Sequence, residues 1–184
     1  MEEKALPGVL VAAPERLDAE RLCDLYTERV YRFAAMVSNR AADAEDLAQD
    51  ALERAIRALD RYDLERGAVE AWLWRIVVNA ARDRGRAERR RRLLLDRVAA
   101  LLPRRTTEAD PAIDAAVGDD QLLAAVRRLP RRARALIALR FGADLDYPQV
   151  GASLGMTAEA AGLATRRALA TLKRVLETET RSVG

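Results

Sequence analysis

The side chains that could do chemistry in this sequence are arginines and carboxylates, because the usual catalytic and metal-binding types are nearly missing. The 184 residues include no histidine and one cysteine, Cys23, and the only lysines are Lys4 and Lys173. Histidine-based zinc sites, Ser-His-Asp triads and disulfides are therefore excluded. We expect no enzymatic activity, no metal and no cofactor.

The charges are sorted along the chain in a way that the net charge of +3 conceals. Residues 71–105 carry 11 basic and 3 acidic side chains, and residues 127–174 carry 10 and 3. Between these blocks, residues 106–126 carry five carboxylates and no cation. Two basic blocks separated by an acidic one predict two polyanion-binding surfaces on one chain.

Aromatic and basic residues lie together at the start of the first basic block. Trp72 belongs to an apolar helical stripe, whereas Trp74 and Asn79 fall outside it, beside Arg75. An exposed aromatic next to arginines suits the stacking of an unpaired base and the binding of its phosphate. Packing of Trp74 against a neighbouring helix is the alternative. Seven arginines within 82–92 favour phosphate contacts over a merely solvated face.

Charged side chains also follow one face of a preceding helical segment. They recur at i, i+4, i+7 and i+11 with two flanking polar residues: Asp46, Asp50, Glu53 and Arg57, with Gln49 and Arg54. Two interpretations stay open, a charged face in solvent or a docking surface for a basic helix of a partner protein.

The elements that must position these residues are helical, because Ala, Leu, Arg and Glu dominate and the apolar residues recur with a helical period. A first helix is predicted from about Asp18 to Ser38, a second from Asp43 as its N-cap, and a third from about Ala68 through the arginines. Later segments predict helices at about 121–129, 131–141, 148–154 and 158–178. Residues 148–174 have the layout of a helix-turn-helix or of an ordinary helical hairpin.

We therefore predict an all-α protein with two small helical domains joined by a flexible linker. The predicted ranges are an N-terminal extension at 1–19, a first domain at 20–97, an acidic linker at 98–120, a second domain at 121–178 and a tail at 179–184. The apolar run at 9–13 is too short to span a bilayer and follows two glutamates, so we expect no membrane insertion, no secretion and a cytoplasmic location.

Two groups of motifs resemble the bacterial extracytoplasmic-function (ECF) sigma factors of the sigma-70 family. The runs DAEDLAQDAL and AWLWRIVVNAARD occur in the order and spacing of region two of that family. The later block, with its LP-R-R, LR-F and Y-P-Q-V-G elements, resembles region four. The resemblance covers nearly the whole chain outside the first twenty residues, the linker and the tail, and it implies a bundle for region two and a helix-turn-helix for region four.

The resemblance implies three functional surfaces. Binding to the beta-prime clamp coiled coil of core RNA polymerase falls to the second helix, at Asp46, Leu47, Gln49, Asp50, Arg54 and Arg57. Opening and reading of the promoter's minus-ten element falls to the third helix, at Trp72, Trp74, Arg75, Asn79, Arg82, Arg84 and Arg86. Contact with the minus-thirty-five element falls to the last helix, at Thr157, Glu159, Arg166, Arg167, Lys173 and Arg174.

The last helix departs from the family pattern. Residues 161–164 read Ala-Gly-Leu-Ala where relatives usually carry basic or polar side chains. We therefore predict weak base readout there, carried mainly by phosphate contacts, and Gly162 should weaken the helix by roughly 1 kcal/mol relative to alanine.

The same resemblance implies a role for the acidic segment at 98–120. Its 23 residues extend to roughly 75–80 Å, enough to join DNA sites about two helical turns apart. Two roles stay open for this segment: it threads through a basic channel of the polymerase, or it is a plain tether between the two domains.

The resulting hypothesis is an alternative sigma factor that binds core RNA polymerase, including its beta flap, and promoter DNA. Control by an anti-sigma factor is implied by the family. A free-standing helix-turn-helix regulator and a sigma mimic that titrates an anti-sigma factor are the rival hypotheses.

Overall fold

A computed structural model describes residues 17–62, 68–101 and 119–182, and those residues are almost entirely helical. The α-helices are α1 (Ala19–Val37), α2 (Ala41–Ala58), α3 (Val69–Leu101), α4 (Asp119–Arg128), α5 (Arg131–Ile137), α6 (Tyr147–Leu154) and α7 (Ala158–Ser182). A 3-10 turn, Leu59–Arg61, follows α2, and a π-helical turn, Ala138–Gly142, follows α5. The predicted all-α class is confirmed. Within the described ranges no helix combines the length and the apolarity needed to cross a membrane.

The first two helices begin in different ways, because only α1 has a side-chain cap. The first helix was predicted to begin at about Asp18, and Asp18 is its N-cap: its carboxylate accepts a hydrogen bond from the Arg21 backbone N–H at 2.8 Å. The prediction that Asp43 caps α2 is wrong, since the helix begins at Ala41 with Arg40 as its N-cap residue. Asp43 instead lies in the first turn, where its negative charge favours the positive end of the helix dipole.

Helices α1, α2 and α3 form a first unit around a shared apolar interior. Fully or almost fully buried side chains from all three helices meet there: Leu22, Val30, Phe33, Leu47, Ala51, Leu73 and Val77. Helix α3 continues to Leu101 and so enters the range predicted as a linker from residue 98. The remainder of that predicted linker, 102–118, lies outside the described residues, as does the greater part of the predicted N-terminal extension.

Helices α4 to α7 form a second unit with a helix-turn-helix at its end. A capping box starts α6, in which Asp146 accepts from the Gln149 backbone N–H while the Gln149 side chain accepts from the Asp146 N–H, both at 2.8 Å. Gly155 ends α6 with φ of 72°, a left-handed conformation that glycine adopts without steric cost. The Thr157 hydroxyl accepts from the Ala160 N–H at 3.2 Å and caps α7.

The second unit packs directly on the first. Leu139, Leu145 and Val150 of the second unit are fully buried in the same apolar cluster as Phe33 and Trp74 of the first. A smaller cluster of its own holds α4, α5 and α7 together: Ala125, Val126, Leu129, Ile137, Ala168 and Leu172. The two units therefore share one core across the described residues.

Candidate nucleic-acid interface and partner surfaces

Helix α3 carries an exposed polar stripe along one side. The stripe consists of Arg75, Asn79, Arg82 and Arg86, spaced at i, i+4, i+7 and i+11 and all exposed. Arg75 forms no ion pair with any described residue, and Arg82 donates to the Asn79 side-chain oxygen at 3.5 Å. At 1.5 Å per residue, the stripe extends for roughly 16 Å, with three guanidinium groups facing solvent. These four predicted minus-ten residues are brought together on one surface.

The prediction that Trp74 is exposed is wrong. Its ring is 0% exposed and meets the edge of Phe33 at 5.8 Å between centroids, with the guanidinium of Arg29 at 5.8 Å from its centroid. Trp72 is half-buried against Tyr62, with ring centroids 4.8 Å apart. In this conformation neither tryptophan presents a free ring on which an unpaired base could stack.

The reason is that α3 is buried along two stripes instead of one. The predicted stripe, represented by Leu73 and Val77, packs inside the first unit. A second stripe begins at Glu70 and continues through Trp74, Val78 and Ala81, spaced at i, i+4, i+8 and i+11. Helix α6 packs along α3 there, and the indole N–H of Trp74 has no hydrogen-bond partner among the described residues.

Arg84 differs from the other predicted minus-ten arginines because it is held by carboxylates of α2. Its guanidinium lies 2.8 Å from an Asp46 oxygen and 3.3 Å from an Asp43 oxygen. Hydrogen bonds from Arg40 first, and then from Arg84, hold the pKa of Asp43 below its ordinary value. Arg84 thus fastens α3 to α2 instead of offering a free charge to DNA.

The predicted polymerase surface on α2 is exposed in part. Asp46 and Gln49 face solvent, and Arg57 pairs with Glu53 at 2.8 Å. Leu47 is only 2% exposed, so its prediction as a surface contact is wrong: it faces the apolar interior from the opposite side of the helix.

Arg54 joins the exposed side of α2 to α3. It lies 2.8 Å from Asp50 on its own helix and 3.0 Å from Asp83 on α3. Hydrogen bonds from Arg54 first, and then from Arg86, hold the pKa of Asp83 below its ordinary value. Asp50 and Arg54 are therefore parts of a helix-to-helix network as well as of the surface.

The predicted minus-thirty-five residues lie along the outer side of α7. Glu159, Arg166, Arg167, Lys173 and Arg174 are all exposed, whereas Thr157 is engaged as the cap. Ion pairing there is slight: Lys173 lies 3.8 Å from Glu177. The apolar Leu163 is 43% exposed among these charges, near the start of the helix. The surface offers cations along its length and little hydrogen bonding at the turn that would meet base edges first.

A groove of about 1260 Å³ runs between the two units. Its apolar lining includes Phe33, Val78, Leu154 and Met156. Its cations come from both units: Arg40, Arg82, Arg84, Arg86, Arg91, Arg92, Arg131, Arg132 and Arg134. Two carboxylates, Asp43 and Glu88, also line it. The groove therefore suits a ligand with one apolar and one acidic side.

The contacts that join the two units were not predicted from the sequence. Hydrogen bonds between the described residues of the two units use the side chains of Arg29 and Glu70 of the first unit and of Arg131, Arg134 and Gln149 of the second. Each of these bonds joins residues that lie 46 to 114 positions apart in the sequence. No pattern of residue types within a single helix predicts such pairs. The apolar spacing of Trp74 and Val78 was the one available signal, because it marks a second helical face.

The described residues thus form an all-α protein that combines a helix-turn-helix, whose outer helix is cationic, with a second exposed arginine stripe on α3. The Sigma-70 region 2 domain matches residues 22–91, which include α2 and the whole exposed stripe of α3 from Arg75 to Arg86. The chain therefore contains a region 2 domain of the sigma-70 family and is similar to the ECF sigma factors of that family. The family resemblance predicted from the motifs is confirmed.

Individual relatives show how far the similarity extends. The chain is 33% identical to the ECF RNA polymerase sigma factor SigE of Mycolicibacterium smegmatis over 141 residues, which is 74% of this chain and 53% of the relative. It thus spans about half the length of that protein.

Two solved structures share the fold. The sigma factor RpoE, in complex with the anti-sigma factor NepR from Bartonella quintana, has a TM-score of 0.64 and 22% identity, over 86% of this chain and 96% of that one. CnrH, in complex with the cytosolic domain of CnrY, has a TM-score of 0.60 and 25% identity, over 87% and 88%.

Proposed function

We propose that this chain is an alternative sigma factor that binds core RNA polymerase and directs the recognition and opening of promoters. The observation that carries the proposal is the pairing of an exposed acidic and polar face on α2 with an exposed arginine stripe on α3, inside the segment that matches Sigma-70 region 2. A free-standing regulator needs no such pair of surfaces.

The α2 face is the proposed docking site for the polymerase, through the clamp coiled coil of the beta-prime subunit. Gln49 is an exposed member that is held weakly, since its only side-chain hydrogen bond to a described residue is one of 3.4 Å to Glu53. Asp46 and Asp50 add negative charge but also fasten α2 to neighbouring arginines. A variant at Gln49 therefore tests docking with little disturbance of the fold.

The α3 and α7 surfaces are the proposed promoter contacts. Arg75, Arg82 and Arg86 bind the phosphates of the minus-ten element, and Asn79 lies between them with an amide that can hydrogen-bond a base. On α7, Arg166 and its cationic neighbours bind phosphates of the minus-thirty-five element. Binding to core polymerase and to single-stranded DNA provides the free energy of promoter opening, and the chain itself performs no covalent chemistry.

The groove between the units is the proposed site of an anti-sigma factor. Its apolar lining and arginine rim complement a helix that has one apolar and one acidic face. Both solved relatives reported above are complexes, RpoE with an anti-sigma factor and CnrH with the cytosolic domain of CnrY. Because core polymerase is the partner, the proposed location is the cytoplasm.

Run-off transcription with core polymerase on genomic fragments tests the proposal. We expect specific transcripts with the native protein, and loss of transcripts together with weaker core binding for Gln49→Arg. Glu28→Arg is the matched control, because Glu28 is exposed on α1 and only pairs with Arg32 at 3.6 Å. Transcription unaffected by Gln49→Arg would refute docking through α2.

Two other outcomes would favour the rival functions. Sequence-specific binding of duplex DNA without any effect on core polymerase would support a free-standing helix-turn-helix regulator. Absence of both activities would support a sigma mimic that binds an anti-sigma factor.

A further inference from the structure

The four consecutive residues of α7 that depart from the family pattern divide into inner and outer positions. Ala161 and Gly162 are buried, and the Tyr147 ring lies 3.6–3.8 Å from a Cβ atom added at the glycine. Ala164 is half-buried against the core that the two units share, whereas Leu163 is 43% exposed. Packing inside the second unit therefore explains why three of these positions are small and apolar, and only Leu163 faces outward.

The inner face of α7 is held by packing and by a hydrogen bond back to the helix. Ala168 and Leu172 belong to the apolar cluster of the second unit, and Thr165 is fully buried. The Thr165 hydroxyl donates to the Ala161 carbonyl at 2.8 Å. These contacts fix the rotation of α7 about its own axis and thereby keep Leu163 on the outer face.

The outer face of α7 changes in character along its length. The exposed residues between 158 and 174 recur with the helical period: Glu159, Ala160, Leu163, Arg166, Arg167, Ala170, Lys173 and Arg174. Before Arg166 the only charged side chain on α7 is the carboxylate of Glu159, which can accept hydrogen bonds but not donate them. The first two turns thus present an apolar surface and one acceptor, and the later turns present cations.

The helix-turn-helix determines which of these turns meets the base edges. In this motif the N-terminal residues of the second helix contact base edges in the major groove, which is about 12 Å wide. Lys173 lies ten residues after Leu163, about 15 Å along the helix axis. When Leu163 is inside the groove, Lys173 therefore lies beyond its width, near the phosphates. The cations hold α7 on the DNA backbone, and the bases meet Ala160 and Leu163.

We propose that α7 reads the minus-thirty-five element through the C5-methyl groups of thymine, which pack against the Leu163 side chain. The thymine methyl is the apolar group that base edges present in the major groove, and apolar side chains contact it. Guanine presents only acceptors there, and the first two turns of α7 have no outward side-chain donor to meet them. This inference rests on the proposed function, because it takes α7 to be the minus-thirty-five surface, and it adds the chemical group that is read.

Removal of single methyl groups from the DNA tests the proposal. Selection from a randomised duplex library by the full chain with core polymerase identifies the preferred upstream sequence. Each thymine of that sequence is then replaced singly by deoxyuridine, which lacks only the C5-methyl group, and Kd is measured by fluorescence anisotropy of the labelled duplexes. Burial of one methyl-sized group is worth about fourfold in Kd. We therefore expect about fourfold weaker binding when the thymine that contacts Leu163 is replaced.

Two substitutions at Leu163 separate methyl contact from other effects of deoxyuridine. Leu163→Ala should bind the thymine and deoxyuridine duplexes equally, because the shortened side chain no longer reaches the methyl group. Leu163→Asn should prefer adenine at that position, since an asparagine amide hydrogen-bonds both N6 and N7 of adenine. Leu122→Ala is the matched control, because Leu122 is a similarly exposed leucine on α4, and it should keep the difference between the two duplexes.

The outcomes distinguish this inference from the proposed function. A loss on deoxyuridine that disappears in Leu163→Ala and persists in Leu122→Ala would support methyl readout, as would an adenine preference of Leu163→Asn. No loss on deoxyuridine, an equal loss in all proteins, or an upstream sequence without thymine would overturn it. Failure of core polymerase to acquire any sequence preference would refute the proposed function. The same library applied to the chain alone would then decide the inference, which an unselective chain would also overturn.

Discussion

Two glycines of the helix-turn-helix allow one chemical change to be tested in opposite environments. Gly162 lies in α7, and a Cβ atom added there lies 3.6–3.8 Å from the Tyr147 ring, an ordinary packing distance. Gly151 lies in α6, and its added Cβ lies 2.6 Å from the Met156 carbonyl oxygen and 3.1 Å from the Thr157 carbonyl carbon. Alanine therefore fits at the first position and overlaps the backbone of the turn at the second.

The two substitutions should change the free energy of unfolding in opposite directions. Gly162→Ala should raise the free energy of unfolding by about 1 kcal/mol, the difference in helix propensity. Gly151→Ala has the same propensity gain, but the overlap with rigid backbone costs about 1–3 kcal/mol. The two variants should thus differ by roughly 1–3 kcal/mol, which corresponds to about 2–4 °C in Tm for each kcal/mol in a chain of this size.

Thermal and urea denaturation of the full chain, followed by far-ultraviolet circular dichroism, measure the difference. Promoter binding by the holoenzyme provides a second measurement, since a displaced turn changes the angle between α6 and α7. Gly151→Ala with the Tm of Gly162→Ala would refute the close approach of α6 to the turn, and with it the assigned geometry of the helix-turn-helix.

Three further predictions concern the turn and the contacts between α2 and α3. Gly155→Ala should lower the free energy of unfolding by about 1–2 kcal/mol. The space around Gly155 is open, but its positive φ disfavours any side chain, and thermal melts measure the loss of stability. Asp43 has a lowered pKa when folded, so its stabilisation is present above the unfolded value of about 3.9 and is lost as the pH falls through the folded pKa. The Tm of Asp43→Asn should therefore depend less on pH below about pH 5. Arg84→Ala should lower the free energy of unfolding by about 1 kcal/mol because it loses two carboxylate contacts, whereas the exposed Arg89→Ala should change it by less than about 0.5 kcal/mol in urea titrations.

The helices and their order could be predicted from the sequence because local signals determine them. Asp18, Thr157 and the glycine at 155 mark helix ends through their own side chains or backbone freedom. The N-cap of α2 was misplaced at Asp43, since a carboxylate in the first turn serves the helix dipole almost as well as one at the cap. Signals of this kind act over a few residues and need no tertiary structure.

The candidate site could be predicted only where one helix suffices to form it. The stripe from Arg75 to Arg86 is a property of α3 alone, and the structure leaves it exposed. The burial of Trp74 depends on Phe33 and Arg29 of α1, about 40 residues earlier, and the pairing of Arg84 depends on carboxylates about 40 residues earlier on α2. Such long-range pairings cannot be predicted from the spacing of apolar residues within one helix.

The way the two units are fastened has a consequence for the effect of ionic strength. Arg29, Arg131 and Arg134 all donate to backbone carbonyls of the other unit, and the one ion pair between the described residues of the two units, Arg131 with Glu88, is long at 3.9 Å. The packing of the units therefore relies mainly on apolar burial and on hydrogen bonds to neutral carbonyl groups. Added salt screens such contacts little. DNA binding by arginines releases counterions and weakens steeply as salt rises. Rising ionic strength should therefore weaken DNA binding long before it loosens the packing of the two units.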